Sequence, residues 1–108
     1  MKIYGLKNCD TCRKALKALQ AAGHDAELLD VREHPLSPDI LAEFFAEFGE
    51  GLVNTRSTTW RGLDDAERQT PPSELLAKYP ALMKRPVIEQ GEKRSLGWTK
   101  DVQQQWNV

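Results

Sequence analysis

A chain of 108 residues, 40% apolar and 29% charged, has the make-up of one ordinary globular domain and is long enough to bury about two-thirds of the surface it exposes when unfolded. Fifteen Lys and Arg against sixteen Asp and Glu leave a net charge of −1, which argues against a general nucleic-acid binder, whose affinity comes from neutralising phosphates. No apolar run exceeds three residues and the N-terminus carries no apolar signal segment, so neither a membrane span nor secretion is expected, and the chain reads as cytoplasmic.

In chain order, residues 2–5 read as a short strand. Asn8-Cys9-Asp10-Thr11 is polar and turn-like. Cys12, Ala15, Leu16 and Leu19 then recur at helical spacing, Lys14, Lys17 and Gln20 lie off that face, and Gly23 marks the stop. Residues 26–30 read as a second strand. Strand, helix and strand within about thirty residues make a βαβ unit, whose strands run parallel. Ser37-Pro38-Asp39 is a helix start, with a capping hydroxyl, a proline at the first helical position and an acid in the first turn. Ile40, Leu41, Phe44, Phe45 and Phe48 form the stripe that follows, and Gly49 ends it. The polar run 54–59 matches neither period, with short helical pieces expected around 63–68. Ser73 is expected to cap a short helix carrying Leu75, Leu76 and Tyr79. Pro80 ends that helix, and one more turn is expected at 81–83.

The last third changes character. Residues 86–89 and 94–97, around a turn at 90–93, predict a β-hairpin with Glu92-Lys93-Arg94 as its solvated tip. Thr99 caps a final helix with Val102 and Trp106 on its apolar face. The order β-α-β, a helical insertion over about 36–84, then β-β-α predicts an α/β fold. Its form is a thioredoxin-like (glutaredoxin-like) mixed four-stranded sheet with an all-helical insertion, in a single domain over 1–108.

Cys9-Asp10-Thr11-Cys12 is the only cysteine pair and lies at the first strand–helix junction. Three readings are open. As small buried hydrophobes, Cys12 fits but Cys9, in a polar turn, fits poorly. A zinc site needs about four ligands and this motif supplies two. His24 and His34 fall at no metal spacing and read as surface residues, so no metal is expected. The third reading is redox, because C-x-x-C near a βαβ pattern is a thiol–disulfide signature. Unpaired N–H groups at a helix N-terminus favour a thiolate, and a pKa fall from about 8.5 to about 7 corresponds to roughly 2 kcal/mol. Lys7 and Arg13 add positive charge nearby and Asp10 opposes it. The context favours the redox reading, with Cys9 attacking and Cys12 resolving.

Arg85 directly precedes Pro86. In thioredoxin-like folds a cis-proline commonly starts the third strand, facing the active cysteine, although X-Pro bonds are cis only about 5–6% of the time in general. Pro86 is the candidate, and it would bring Arg85 to Cys9, where a guanidinium can stabilise a thiolate or clamp an oxyanion. Trp60 and Trp98 read either as lining a cleft or as packed under the insertion.

With these pieces in order, the chain resembles the arsenate reductase (ArsC) family, which includes the Spx-type regulators. The matching segments are Asn8-Cys9, Cys12-Arg13-Lys14-Ala15-Leu16, Asn54-Thr55-Arg56-Ser57, Lys84-Arg85-Pro86-Val87-Ile88 and Leu96-Gly97-Trp98. The resemblance implies that Cys9 is the attacking cysteine, with glutathione and glutaredoxin as electron donors. It implies that Arg56 and Arg85 are two of three oxyanion-binding arginines, and Asn8 joins them at the substrate. The place of the third falls at Gly97, which weakens the case for arsenate. Cys12 departs from the enzymes proper and allows an internal disulfide, as in the Spx-like branch. The expected function is a glutathione-linked thiol–disulfide oxidoreductase acting on a disulfide or small oxyanion, as a monomer, with no bound cofactor, no membrane and no direct nucleic-acid contact. The alternative is a redox-sensing regulator that binds RNA polymerase without catalysis.

Overall fold

The computed structural model describes all residues, 1–108. Four strands, β1 (Lys2–Gly5), β2 (Glu27–Asp30), β3 (Val87–Gln90) and β4 (Lys93–Leu96), form one mixed sheet in the order β2-β1-β3-β4. β1 and β2 are parallel, from Lys2 opposite Glu27 to Gly5 opposite Asp30, as a βαβ connection requires. β3 runs antiparallel to β1, with Ile3 opposite Ile88, and antiparallel to β4, with Val87 opposite Leu96. The hairpin turns at Gly91, whose φ of 61° suits a residue without a Cβ. This is the thioredoxin-like arrangement expected from the element order.

Two compact units divide the chain, one made of Met1–Val31 with Arg85–Val108, the other of Arg32–Lys84. In the sheet unit, α1 (Asp10–Ala21) and α6 (Lys100–Gln105) carry the apolar stripes read from the sequence. Ile3, Leu19, Ala26, Ile88 and Trp106 form a buried cluster, with Leu16, Leu28, Trp98 and Val102 packed against it. Trp106 is anchored by its indole N–H, which donates to Ser95 Oγ at 2.8 Å. His24 is no free surface residue: its Nε2 lies 2.9 Å from the Trp106 carbonyl oxygen, because α1 ends beside the C-terminal turn. The hairpin tip also differs from a solvated run. Arg94 Nε donates to Glu89 Oε2 at 2.7 Å, and Lys93 donates to the Gln105 carbonyl at 2.6 Å while lying over the Trp106 ring. Glu92 and Lys93 are exposed, and Arg94 is half-buried.

The helical unit holds α2 (Pro38–Phe48), α3 (Thr58–Arg61), α4 (Asp65–Arg68) and α5 (Pro72–Lys78), with 3₁₀ turns at Gly49–Leu52 and Pro80–Leu82. Three of the helices begin on a side-chain cap: Ser37 accepts from the Ile40 N–H, Ser57 from Trp60 and Asp64 from Glu67. α5 corrects the expectation at Ser73. It starts at Pro72 with Pro71 in the capping position, and Ser73 lies inside its first turn. Proline suits that place because it has no N–H to leave unsatisfied. The strand-like segments that close the unit pair at one bridge, Val53 with Met83. Trp60 lines a cavity of about 320 Å³ within this unit, together with Val53, Arg68, Pro71 and Leu75.

Candidate functional site

β1 ends at Gly5, and the chain turns through Leu6–Asn8 before α1 starts at Asp10. Three bonds shape that turn. The Lys7 N–H donates to Asp30 Oδ2 at 2.9 Å, the Cys9 N–H donates to the Leu6 carbonyl at 3.1 Å, and the Arg13 N–H donates to the Cys9 carbonyl at 3.0 Å. Cys9 is thereby the N-cap of α1, with extended φ and ψ of −91° and 119°. As the N-cap, Cys9 has its thiol beside the free N–H groups that open a twelve-residue helix, that of Cys12 among them.

The C-x-x-C spacing puts Cys12 at the third helical position, with its thiol within hydrogen-bonding reach of that of Cys9. Cys9 is half-buried, Cys12 is wholly buried, and both are free thiols. Gly5 is what lets Cys12 sit there. A Cβ on Gly5 would collide with the Cys12 sulfur and lie 3.3 Å from its Cβ, so the end of β1 must be glycine for α1 to approach this closely.

The two thiols are pushed apart electrostatically. Burial raises the Cys9 pKa, but the Cys12 backbone N–H, the Cys12 thiol and the Arg85 guanidinium lower it, and the net direction is down. Burial pushes the Cys12 thiol up to about 11, helped by hydrogen bonding to Cys9 and by its charge, and only partly opposed by the Leu6 backbone and Arg85. The arrangement makes Cys9 the more acidic of the two thiols and keeps Cys12 protonated near neutral pH.

Arg85 is half-buried and immediately precedes β3, and the Arg85–Pro86 peptide bond is cis. The structure brings together Cys9, Cys12 and Arg85, and Pro86 follows Arg85 in the chain. Asn8 is exposed in the turn beside Cys9. Arg56 belongs to the helical unit. It is exposed, and its N–H donates to Asn54 Oδ1 at 3.1 Å in the turn that leads into α3.

The charges expected around Cys9 need one correction. Arg13 is turned to Asp10, at 3.2 Å, so these two exposed residues largely cancel each other and neither is among the groups that set the Cys9 pKa. Arg94 does not stand in for a third arginine either, since it is committed to Glu89 at 2.7 Å, both side chains being about four-fifths buried (18% and 19% exposed). Gly97 is buried at a φ of 85° and its N–H donates to the Pro86 carbonyl at 2.9 Å, a conformation in which a long side chain is strained. Trp98 packs on the sheet core. Asp30 is a residue that sequence reading missed. It ends β2 as a buried carboxylate, and no local signal sets it apart from any other acid at the end of a strand. No cluster of three or more His, Cys, Asp or Glu side chains is placed to hold a metal ion, and no helix is long and apolar enough to cross a membrane.

The ArsC family model matches residues 4–105, nearly the whole chain. A Haemophilus influenzae protein without an assigned role is 41% identical over 103 residues, covering 91% of this chain and 90% of its own length. The global transcriptional regulator Spx of Streptococcus pyogenes is 33% identical over 100 residues, covering 87% of this chain and 75% of the regulator. Among solved structures, the YffB protein superposes with a TM-score of 0.88 at 28% identity, covering 99% of this chain and 98% of that one. The likeness thus embraces strands, helices and the cysteine-bearing turn alike, and the chain belongs to the ArsC family.

Proposed function

We propose that the chain is a glutathione-linked thiol–disulfide oxidoreductase in which Cys9 is the nucleophile and Cys12 the resolving thiol. The observation that carries this reading is the half-exposed Cys9 sulfur at the head of α1, favoured as thiolate by the Cys12 N–H and Arg85. The Cys9 thiolate attacks one sulfur of a disulfide R–S–S–R′. A bond forms from Cys9 Sγ to that sulfur, the S–S bond breaks, and R′–S⁻ leaves and takes up a proton. Cys9 then carries no negative charge, so two of the influences that hold the Cys12 proton are gone. Cys12 gives its proton to solvent and attacks Cys9 Sγ, and R–S⁻ leaves as the internal disulfide forms. The substrate has gained two electrons and the cysteine pair has lost them. Two molecules of glutathione, or a glutaredoxin-type dithiol, return the pair to thiols.

Arg85 suits an anionic group on the substrate, such as a glutathione carboxylate or an oxyanion. In this reading Arg56 shares that role and Asn8 joins it at the substrate, as the resemblance to the family implies. Arsenate is the weaker substrate, because a glycine stands where the third arginine of the family falls, and a charged hydrogen bond there is worth about 1.5–3 kcal/mol. Anaerobic turnover of glutathione disulfide, a glutathionylated peptide and arsenate tests the reading. Turnover of at least one disulfide, abolished in Cys9→Ser and arrested as a mixed disulfide in Cys12→Ser, is expected. Absence of Cys9-dependent turnover of all three overturns it.

The identity with the Spx regulator favours a second reading, a redox switch whose cysteine pair controls binding to RNA polymerase. It predicts that purified polymerase subunits capture the oxidised and reduced chains to different extents.

A further inference from the structure

We propose that Asp30 is a positioning residue whose buried carboxylate, by accepting the Lys7 N–H, fixes the turn that holds the Cys9 sulfur at the head of α1 beside Arg85. The inference rests on the reading of Cys9 as the attacking thiolate and adds to it the residue that aims the sulfur.

The geometry is specific. Asp30 is the last residue of β2 and lies opposite Gly5, the last residue of β1. β-Pairing ends there, yet the Val31 N–H still donates to the Gly5 carbonyl at 2.9 Å, so the two strand ends are fixed to each other. The Asp30 side chain, only 7% exposed, extends the link by two residues to the Lys7 N–H at 2.9 Å. The next N–H bonded in the turn is that of Cys9, to Leu6. The turn is therefore tied to the sheet by a side chain just before the chain enters α1. A carboxylate is an expensive group to bury, and a charge-assisted hydrogen bond from a backbone N–H offsets part of that cost while holding the N–H in place. Lys7 and Asn8 are exposed. Along the chain, the turn and the start of α1 carry Lys7, Asp10 and Arg13, and Arg85 stands before β3. The Asp10–Arg13 pair is closed on itself, which leaves Arg85 and the α1 N–H groups as the field that a displaced Cys9 would lose.

The test compares Asp30→Ala with Asp30→Asn, reading the rate of Cys9 alkylation by iodoacetamide against pH, with Cys9 and Cys12 adducts separated by peptide mass. Asparagine keeps an acceptor oxygen for the Lys7 N–H and discards the charge. The Cys9 rate near neutral pH should fall by roughly three- to tenfold in Asp30→Ala, about tenfold for each unit by which the pKa rises, and should be mostly restored in Asp30→Asn. An unchanged profile in Asp30→Ala overturns the proposal, and so does equal loss in both variants, which would make the charge itself the active property. Hydrogen exchange at the Lys7 amide of the unaltered protein decides the matter should Asp30→Ala not fold. Protection of that amide supports the role of Asp30, and exchange at the rate of an open chain overturns it. Cys9 that already alkylates as an ordinary thiol in the unaltered protein removes the proposed function as well, whereas an acidic Cys9 indifferent to Asp30 removes only this inference.

Discussion

The sheet unit and the helical unit are held in different ways. In the sheet unit the bonds that matter join residues far apart in sequence: His24 to Trp106, Lys7 to Asp30, and Arg85 to Cys9. In the helical unit most side-chain bonds are local, each capping residue serving an N–H three positions on. Long-range bonds make the sheet unit a frame in which a thiol can be placed against a guanidinium. In the helical unit local bonds cap the short helices, and buried Leu41, Phe44, Leu75 and Leu76 supply the packing that such short helices need. Chemistry that needs two groups held in a fixed relation belongs where the contacts are long-range, and that is where the cysteine pair sits.

The contrast is broken most severely at Trp106. Its side chain is 2% exposed, closes the core cluster and donates to buried Ser95. Trp106→Ala leaves a cavity and an unpaired hydroxyl, and should cost about 3–5 kcal/mol. Urea unfolding followed by circular dichroism measures it. A loss below about 1 kcal/mol would show that the C-terminal turn contributes little to the frame.

A smaller effect tests the frame at the site itself. The Cys12 pKa is raised to about 11, from an ordinary value of 9.0, chiefly by burial, so the folded state holds this proton more tightly than the unfolded state. The stability it contributes is fully present below the unfolded-state pKa and is lost as pH rises through the folded value. Between those limits the loss amounts to about 1.4 kcal/mol per pH unit, the slope of one proton. Cys9 is shifted the other way, and its contribution is present at high pH and lost as pH falls through its lowered pKa. Stability measured by urea unfolding from pH 8 to pH 11 should therefore decline in a way that Cys12→Ala largely removes and Cys9→Ala does not. Equal alkaline limbs in all three proteins would refute the separation of the two thiols.

Much of this difference was legible in the sequence. The βαβ unit, the hairpin, the caps at Ser37 and Thr99 and the apolar stripes of α1 and α2 follow from periodicity and local turn chemistry, and the structure has them within a residue or two. Cys9 at the head of a helix was equally local. What escaped depends on tertiary contact. Nothing in the sequence marks Arg94 as the partner of Glu89, because the pairing is set by hairpin register. Nothing local distinguishes Asp30 from an acid at the end of a strand, because its partner, the Lys7 N–H, is set by the parallel pairing of β2 with β1. Ser73 misled for the opposite reason. It is a good capping residue, but Pro71 and Pro72 before it had already fixed the backbone for a helix start.

The smallest effect sharpens the comparison from the helical side. Ser37 Oγ accepts the Ile40 N–H at 3.3 Å at the exposed start of α2, beside Pro38. The bond is long, the site is open to water, and water can replace the lost acceptor. Ser37→Ala should cost about 0.5–1 kcal/mol, within the lower part of the range for capping residues. Because the cap is local, the loss should add to that of Trp106→Ala in the double variant within about 0.5 kcal/mol. A markedly non-additive pair would mean that the start of α2 and the C-terminal turn share a constraint, and that the division between locally and distantly held regions does not describe how this chain is stabilised.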